Sequence, residues 1–216
     1  MIKVVNWNIR HGLGNDGKTD IKRVAELLAE LNADFYTIQE IDRFMPRSER
    51  VDQLSYIANT LGYHSHFVQT VWVRTGEYGI ATFSKEPILK KNEIRLGKKK
   101  SNNHTIAITE TVNHKIVNLH APPPWDEQEI WWNKFMKNNF ADAILSGDFN
   151  NTPDSKVMQS IFSKNLYNSL NESETFNEEG LIFDYTLVPK NLTIQLQEVI
   201  PSDFSDHNIL VTSIQN

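Results

Sequence analysis

A carboxylate and an amide stand two residues apart in Leu145-Ser146-Gly147-Asp148-Phe149-Asn150. The apolar run from Phe140 to Leu145 reads as a buried strand, and residues i and i+2 of an extended segment point the same way. Asp148 and Asn150 are therefore expected to converge on one point beyond the strand's C-terminal end. Thr152-Pro153 breaks the strand, and Pro153 suits the first turn of a helix. Polar or ionisable residues recur at the ends of apolar strands at Asn8, Glu40, His120, Asp184 and Asp206-His207. Singly, each has an ordinary explanation as a turn former, a solvated charge or a hydrogen-bonded structural residue. Jointly they are the types that hydrolysis of an anionic phosphoester requires. Carboxylates hold a cation and orient water, histidines donate to phosphate or move protons, and Asn donates without charge.

Those residues need elements to position them. Ile2 to Trp7 reads as a central strand, running into Asn8-Ile9-Arg10-His11-Gly12. Thr19 or Asp20 caps a helix in which Ile21, Val24, Ala25, Leu28 and Leu31 recur at helical spacing. Ala33 to Ile38 is a second strand, with Gln39-Glu40 at its end and a polar loop from Asp42 to Arg50. A helix through Leu54, Ile57, Ala58 and Leu61 follows, with Gly62 as its C-cap. The middle is strand-rich: 63–73, 79–84, 88–96, 104–111 and 115–120, with Lys98 to Asn103 as a hairpin tip. A surface helix is expected over 126–139, another over 154–164, and an irregular stretch over 165–180. Strands over 181–189, 193–200 and 209–214 close the chain. The pattern suggests two sheets packed face to face with helices outside.

At 216 residues the chain suits one sizeable core, hence a single catalytic domain over residues 1–216. The net charge of −5 argues mildly against indiscriminate nucleic-acid binding, which uses a broad basic surface. Cysteine is absent, which excludes disulfides and thiolate metal sites. A metal must then be held by oxygen or imidazole, favouring Mg²⁺, Ca²⁺ or Mn²⁺. No apolar run reaches membrane-spanning length and the N-terminus carries no signal-peptide pattern, so a cytoplasmic monomer is expected.

The ordered set Trp7-Asn8-Ile9, Gln39-Glu40, Asn118-Leu119-His120, Gly147-Asp148-Phe149-Asn150, Phe183-Asp184-Tyr185 and Ser205-Asp206-His207 resembles the endonuclease/exonuclease/phosphatase superfamily. That superfamily includes pancreatic-type DNases, exonuclease III-like repair enzymes, inositol polyphosphate 5-phosphatases and neutral sphingomyelinases. The resemblance spans about residues 2 to 212. It implies a DNase I-like fold: a four-layered α/β sandwich of two mixed, mainly antiparallel sheets. It also implies Glu40 as the principal Mg²⁺ ligand (Mn²⁺ a possible substitute), with Asn8 and Asp206 completing the metal environment. Asp148 would orient the attacking water, and Asn150 would hold the phosphate or the water. His207, with Asp184 as its carboxylate partner, and His120 would contact the phosphate. The pairing of Asp184 with His207 comes from the resemblance alone. Tyr78 opens a segment, Tyr78-Gly79-Ile80-Ala81-Thr82-Phe83-Ser84, that resembles a family strand but carries Ile80 where Asn is frequent. It is assigned to the substrate side. Some nuclease members support the His120 counterpart with a carboxylate, for which Glu77 is a weak candidate here.

The loop after Glu40 holds Arg43, Arg47 and Arg50, which can clamp a phosphate or simply salt-bridge a surface loop. Similar loops occur in bacterial and anchor-remodelling family members, and Arg47 is the first choice for a phosphate contact. Trp125 follows a proline run and either stacks on substrate or packs over the next helix. The short connections from His120 to Gly147 and from Asn151 to Asp184 argue against an elaborate substrate groove. The expected function is a Mg²⁺-dependent phosphodiesterase or phosphatase acting on a small or lipid-derived phosphoester. A DNA or RNA nuclease is the alternative. A catalytically inactive binding module would lack a residue of the set, and none is missing.

Overall fold

A computed structural model describes residues 1–97, 104–123, 128–163, 167–168, 172–177 and 180–215. The elements, in chain order, are β1 (Ile2–Asn8), α1 (Ile21–Leu31), β2 (Phe35–Arg43), α2 (Gln53–Leu61), β3 (His64–Val73), β4 (Gly76–Ser84), β5 (Lys90–Ile94) and β6 (Ile106–Glu110). There follow β7 (Lys115–His120), α3 (Gln128–Phe135), β8 (Ile144–Asp148), α4 (Lys156–Ser163), β9 (Tyr167–Asn168), β10 (Asp184–Pro189), β11 (Thr193–Ile200) and β12 (Ile209–Gln215). Lys98 to Asn103 and Trp125, both read from sequence, lie outside the described residues.

The strands form two six-stranded sheets, ordered β11-β12-β1-β2-β4-β3 and β5-β6-β7-β8-β10-β9. Pairings are antiparallel except for one parallel pair in each sheet, β1 with β2 and β7 with β8. The C-terminal ends of β1, β7 and β8 carry Asn8, His120 and Asp148, and Gln39 lies opposite Asn8 within β2. This is the two-sheet α/β sandwich expected.

Side-chain alternation explains why the sheets face each other as they do. Odd-numbered residues of β1, such as Val5 and Trp7, pack outward on Val24, Ala25 and Leu28 of α1 and Ile57 of α2. On the second sheet Val117, Leu119, Leu145 and Leu187 pack outward on Trp131, Trp132 and Phe135 of α3 and Met158 and Ile161 of α4. The opposite faces meet, and they change character in two-residue steps. A lower layer is apolar: Val4, Phe35, Ile116, Ile144 and Val188. Two residues along each strand lies a middle layer, Asn6, Thr37, Asn118, Ser146 and Thr186, neutral, polar and fully buried. Two further along lie Asn8, Gln39, His120, Asp148 and Asp184. Strand register keeps the layers level, with Asn6 opposite Thr37, Asn118 opposite Ser146, and Asp184 opposite Asp148.

The helices are stopped as their sequences predict. The Asp20 side chain accepts from the amides of Lys22 and Arg23 at the start of α1, and Gly62 ends α2 at φ 69°. Several strand boundaries move. The strand expected from Phe140 starts at Ile144 and runs on to Asp148. The strand expected to end at Ile38 continues to Arg43 through a register shift between Ile38 and Ile41. Glu40 lies within that irregularity at φ 61°, not at a strand end. A bulge frees one residue from the ladder and re-aims its side chain. The apolar Ile41, directly after Gln39-Glu40, is the trace of the strand resuming.

Gly147 lets β7 and β8 approach. A Cβ there would overlap the Leu119 carbonyl. Gly147→Ala is therefore expected to destabilise the fold by about 3 kcal/mol or more, because the obstacle is backbone and cannot rotate away. Denaturant unfolding measures this; a midpoint equal to that of the parent would show that the pair can part without cost.

Candidate active site

Asp148 is the last residue of β8 and is 1% exposed. Its Oδ2 lies 3.5 Å from His120 Nε2, 3.7 Å from His207 Nε2 and 3.2 Å from Asn8 Nδ2. The Asn8 amide nitrogen also reaches Glu40 Oε1 at 3.3 Å, so Asn8 bridges two carboxylates. Its Oδ1 accepts from the Arg10 amide at 3.1 Å, which fixes the amide's orientation. His207 Nδ1 meets Asp184 Oδ2 at 2.7 Å, the pairing the resemblance implied. Asn8, Glu40, His120, Asp148, Asp184 and His207 are thus brought together at one end of the gap between the sheets.

The segment carrying His207 is pinned from three sides. Trp7 Nε1 donates to the His207 carbonyl at 2.9 Å, and Ser205 Oγ donates to the Asn8 carbonyl at 2.7 Å. Thr175 Oγ1 accepts from the amides of Phe183 and Asp184, both at 3.0 Å. The Phe176 ring centroid lies 4.9 Å from that of His207. The 172–177 segment, read from sequence as irregular, therefore braces both members of the Asp184–His207 pair. Its only sequence signal was the aromatic at 176.

Asn150 reaches the site by a route other than strand alternation. It sits at φ 49°, outside β8. Its amide N–H donates to Asp148 Oδ1 at 2.9 Å, and its side chain donates to the Ala121 carbonyl at 2.9 Å. Asn tolerates this left-handed turn, which aims the backbone N–H at the carboxylate. In this geometry Asn150 orients Asp148 by its main chain.

Sequence reading left Arg10 and His11 without a role. Both have left-handed backbones, at φ 45° and 46°, just before Gly12 at 81°. The turn brings Arg10 Nε to 3.3 Å from Asp206 Oδ2 and His11 Nδ1 to 3.8 Å from Glu40 Oε2. Two successive non-glycine residues at positive φ cost conformational energy, and such strain collects at functional sites.

Charge states follow from these contacts. Burial opposes ionisation of Glu40, but His11, His120 and the Asn8 amide outweigh it and bring its carboxyl down to about 2. Burial pushes the Asp148 carboxyl up; nearby Asp184 adds to this, while His207 and His120 oppose it. Burial also opposes charge on His207, yet Asp184 and Asp148 prevail and lift it to about 10. Around neutral pH the site thus offers an ionised Glu40, a cationic His207 and a carboxylate held where its own charge is disfavoured.

The arginines divide. Arg47 Nε and Nη2 each lie 2.8 Å from an oxygen of Asp42, whose side chain is fully buried, and the guanidinium sits 5.2 Å over the Tyr78 ring. Burial and the charge of Glu40 push the Tyr78 hydroxyl well above its usual range, so it stays a neutral donor. Arg43, by contrast, spends its fork on Asp52, at 2.9 and 3.0 Å, and Nη1 on Glu77 at 2.6 Å. The structure commits Arg43 to bracing the loop rather than to the cluster. Glu77 is likewise committed to Arg43, and the carboxylate beside His120 is Asp148.

Among the described residues no three His, Cys, Asp or Glu side chains converge into a complete metal cage. The donor chemistry still fits a hard divalent cation. Glu40 is ionised, partly exposed and surrounded by oxygen and nitrogen groups, with no sulfur. Mg²⁺ commonly binds through one or two carboxylates and fills its shell with water and substrate oxygens.

Comparison with known proteins gives one family. The model of the "Endonuclease/Exonuclease/phosphatase family" matches residues 5–207. Among solved structures, an endonuclease/exonuclease/phosphatase from Beutenbergia cavernae superposes with a TM-score of 0.86 at 15% identity, over 99% of this chain and 71% of that one. An AP endonuclease from Archaeoglobus fulgidus gives 0.72 at 15% identity over the whole of both chains. A 3′ phosphatase, NExo, from Neisseria, bound to a product DNA hairpin, gives 0.68 at 15% identity, again over the whole of both. At such identities the superpositions establish the fold, while the family match spans every cluster residue from Asn8 to His207. This chain belongs to the endonuclease/exonuclease/phosphatase family.

Proposed function

We propose that the chain is a phosphoric ester hydrolase that works with Mg²⁺ or Mn²⁺ on a small or lipid-derived phosphoester. The observation that carries this reading is the convergence of His120 and His207 on Asp148, with Asn8 linking Asp148 to an ionised Glu40. Glu40 would hold the cation, beside Asn8 and Asp206. When bound, the ion would neutralise charge on the phosphate and the leaving oxygen. Asp148 positions the attacking water and receives its proton, a task suited to a carboxyl whose charge is disfavoured by burial. The Asn150 amide holds Oδ1 of that carboxylate. His207, kept cationic by Asp184, and His120 donate to the non-bridging oxygens as negative charge grows on them. Tyr78 and Arg47 form the substrate-side wall next to Glu40.

A nuclease reading has its own support, because the fold is shared with an AP endonuclease and a DNA 3′ phosphatase. The net charge of −5 and the short connections after His120 and Asn151 favour the smaller substrate. A Mg²⁺ activity panel decides between them: plasmid and abasic DNA, RNA, bis-p-nitrophenyl phosphate, inositol phosphates and sphingomyelin. Turnover of DNA or RNA alone would replace the first reading with the second.

Three outcomes are expected. Asp148→Asn should lower kcat by about 10²-fold or more. Its melting temperature should stay level or rise, because a neutral isostere replaces a carboxylate whose charge the site disfavours. Retained turnover would remove Asp148 from the reaction. Chelation with EDTA should abolish activity and added Mg²⁺ or Mn²⁺ should restore it; turnover that persists in EDTA would refute the metal assignment. Arg47→Ala should destabilise the protein by about 1–2 kcal/mol, since buried Asp42 loses its partner, the value being discounted because Arg47 is itself partly exposed. Adding Asp42→Asn should recover most of that stability, so the double variant isolates the substrate contact. An unchanged kcat/KM in the double variant would leave Arg47 as a brace for its loop.

A further inference from the structure

The middle layer of the inter-sheet gap has an order that packing alone does not require. Asn118 Nδ2 donates to the Ala81 carbonyl at 2.9 Å and to the Ile38 carbonyl at 3.4 Å. That leaves Asn118 Oδ1 to accept from Gln39 Nε2 at 2.9 Å. The same nitrogen reaches Asn6 Oδ1 at 2.9 Å, and Thr37 Oγ1 donates to that oxygen at 3.0 Å. Asn6 Nδ2 is therefore the end turned toward Asp184 Oδ1, at 2.9 Å. Asp184 Oδ2 is then the oxygen that faces His207 Nδ1. Each amide in this chain is fixed by its neighbour, because reversing any one would set oxygen against oxygen or N–H against N–H. The chain starts on two backbone carbonyls of the first sheet and ends on the imidazole beside Asp148.

The arrangement also has a cost that a purely structural filler would avoid. Gln39 Oε1 is buried without a hydrogen-bond partner among the described residues. An unsatisfied buried acceptor costs about 1–3 kcal/mol. Asn6, Thr37, Gln39 and Asn118 are all fully buried, so solvent does not repay it. A leucine or valine layer, like the one two residues below, would fill the gap without that loss.

We propose that Asn6 is a positioning residue: through this amide chain it holds Asp184 so that one oxygen is reserved for His207. Among the described residues no hydrogen bond joins Asn6 to Asp148, and Asn6 acts through Asp184. Without the Asn6 donor, Asp184 can rotate its carboxylate or turn toward a water, and His207 loses a fixed partner. Partners behind metal-ligating side chains commonly govern affinity or activity by about 10–100-fold, and the same scale is expected for the partner that orders the Asp184–His207 pair. The activity arm rests on the hydrolase reading above; the spectroscopic arm does not.

The test joins both arms on the full chain. In proton NMR the His207 Nδ1 proton, held in a short bond to a carboxylate, should give a far-downfield resonance, assigned by its loss in His207→Gln. Asn6→Ala should remove or shift that resonance in folded protein. With bis-p-nitrophenyl phosphate and Mg²⁺, Asn6→Ala should lower kcat by about 10–100-fold at a KM within about twofold of the parent. On an Asp184→Asn background, Asn6→Ala should add less than about a twofold change, because both lie on one line of action. Asn6→Thr, which suits a strand and fills much of the volume, serves if Asn6→Ala does not fold. A resonance unchanged in either folded variant overturns the proposal, as do effects of Asn6 and Asp184 variants that multiply. If the parent hydrolyses no ester, the hydrolase reading falls, and the resonance still decides whether Asn6 holds the pair.

Discussion

Two carboxylates, Asp148 and Asp184, face each other across adjacent strands, nearly without solvent. Everything around them answers to that constraint. Two like charges so placed destabilise one another and lose their hydration. The molecule responds by surrounding them with donors of three kinds. His207 lies between them, bonded to Asp184 and near Asp148. Amides of Asn8 and Asn6 reach one carboxylate each. The backbone N–H of Asn150 is turned onto Asp148. Each of these donors is itself tied to the fold by further hydrogen bonds or by the backbone, an arrangement in which electrostatic stabilisation acts without reorganisation.

The gradient between the sheets is the means of building this. Val4, Asn6 and Asn8 are successive inward positions of a single strand, as are Ile144, Ser146 and Asp148. Each sheet thus passes from oil-like to amide-like to charged over about 13 Å of strand. The apolar end supplies cohesion. At the charged end Glu40 and His120 are half-buried. The amide layer separates the two ends, and of its network only Gln39 Oε1 lacks a partner among the described residues.

Much of this was visible in the residues. Asp148, His120, Asp206-His207 and the core helices could be placed from apolar runs and their polar ends. Glu40 was found, but as a strand terminus, because a bulge leaves almost no mark on local composition. Asn150 was found for an incorrect geometric reason, since the turn that positions it depends on the Ala121 carbonyl, 29 residues away. The amide layer was missed although it lies two residues before each site residue. Asn6, Thr37 and Ser146 look like interruptions of apolar strands until the second sheet is present to complete their hydrogen bonds. Beyond the aromatic at 176, the bracing by 172–177 and the Arg10-His11 turn left no mark in the sequence, since both depend on groups distant along the chain.

The strand order has a bearing on synthesis. The first sheet is made from β1 to β4 and then from β11 and β12, with the whole second sheet made in between. Ile2 pairs with Ile214, and Trp7 reaches the His207 carbonyl. A chain emerging from the ribosome therefore shows Glu40 early and His207 almost last. Until β12 enters beside β1, the edge of that strand lies open and the carboxylates have no imidazole between them. Such distant closure makes for slow folding. It also means that no partly made chain carries the assembled cluster: the cluster and the finished sheet come into being in the same event.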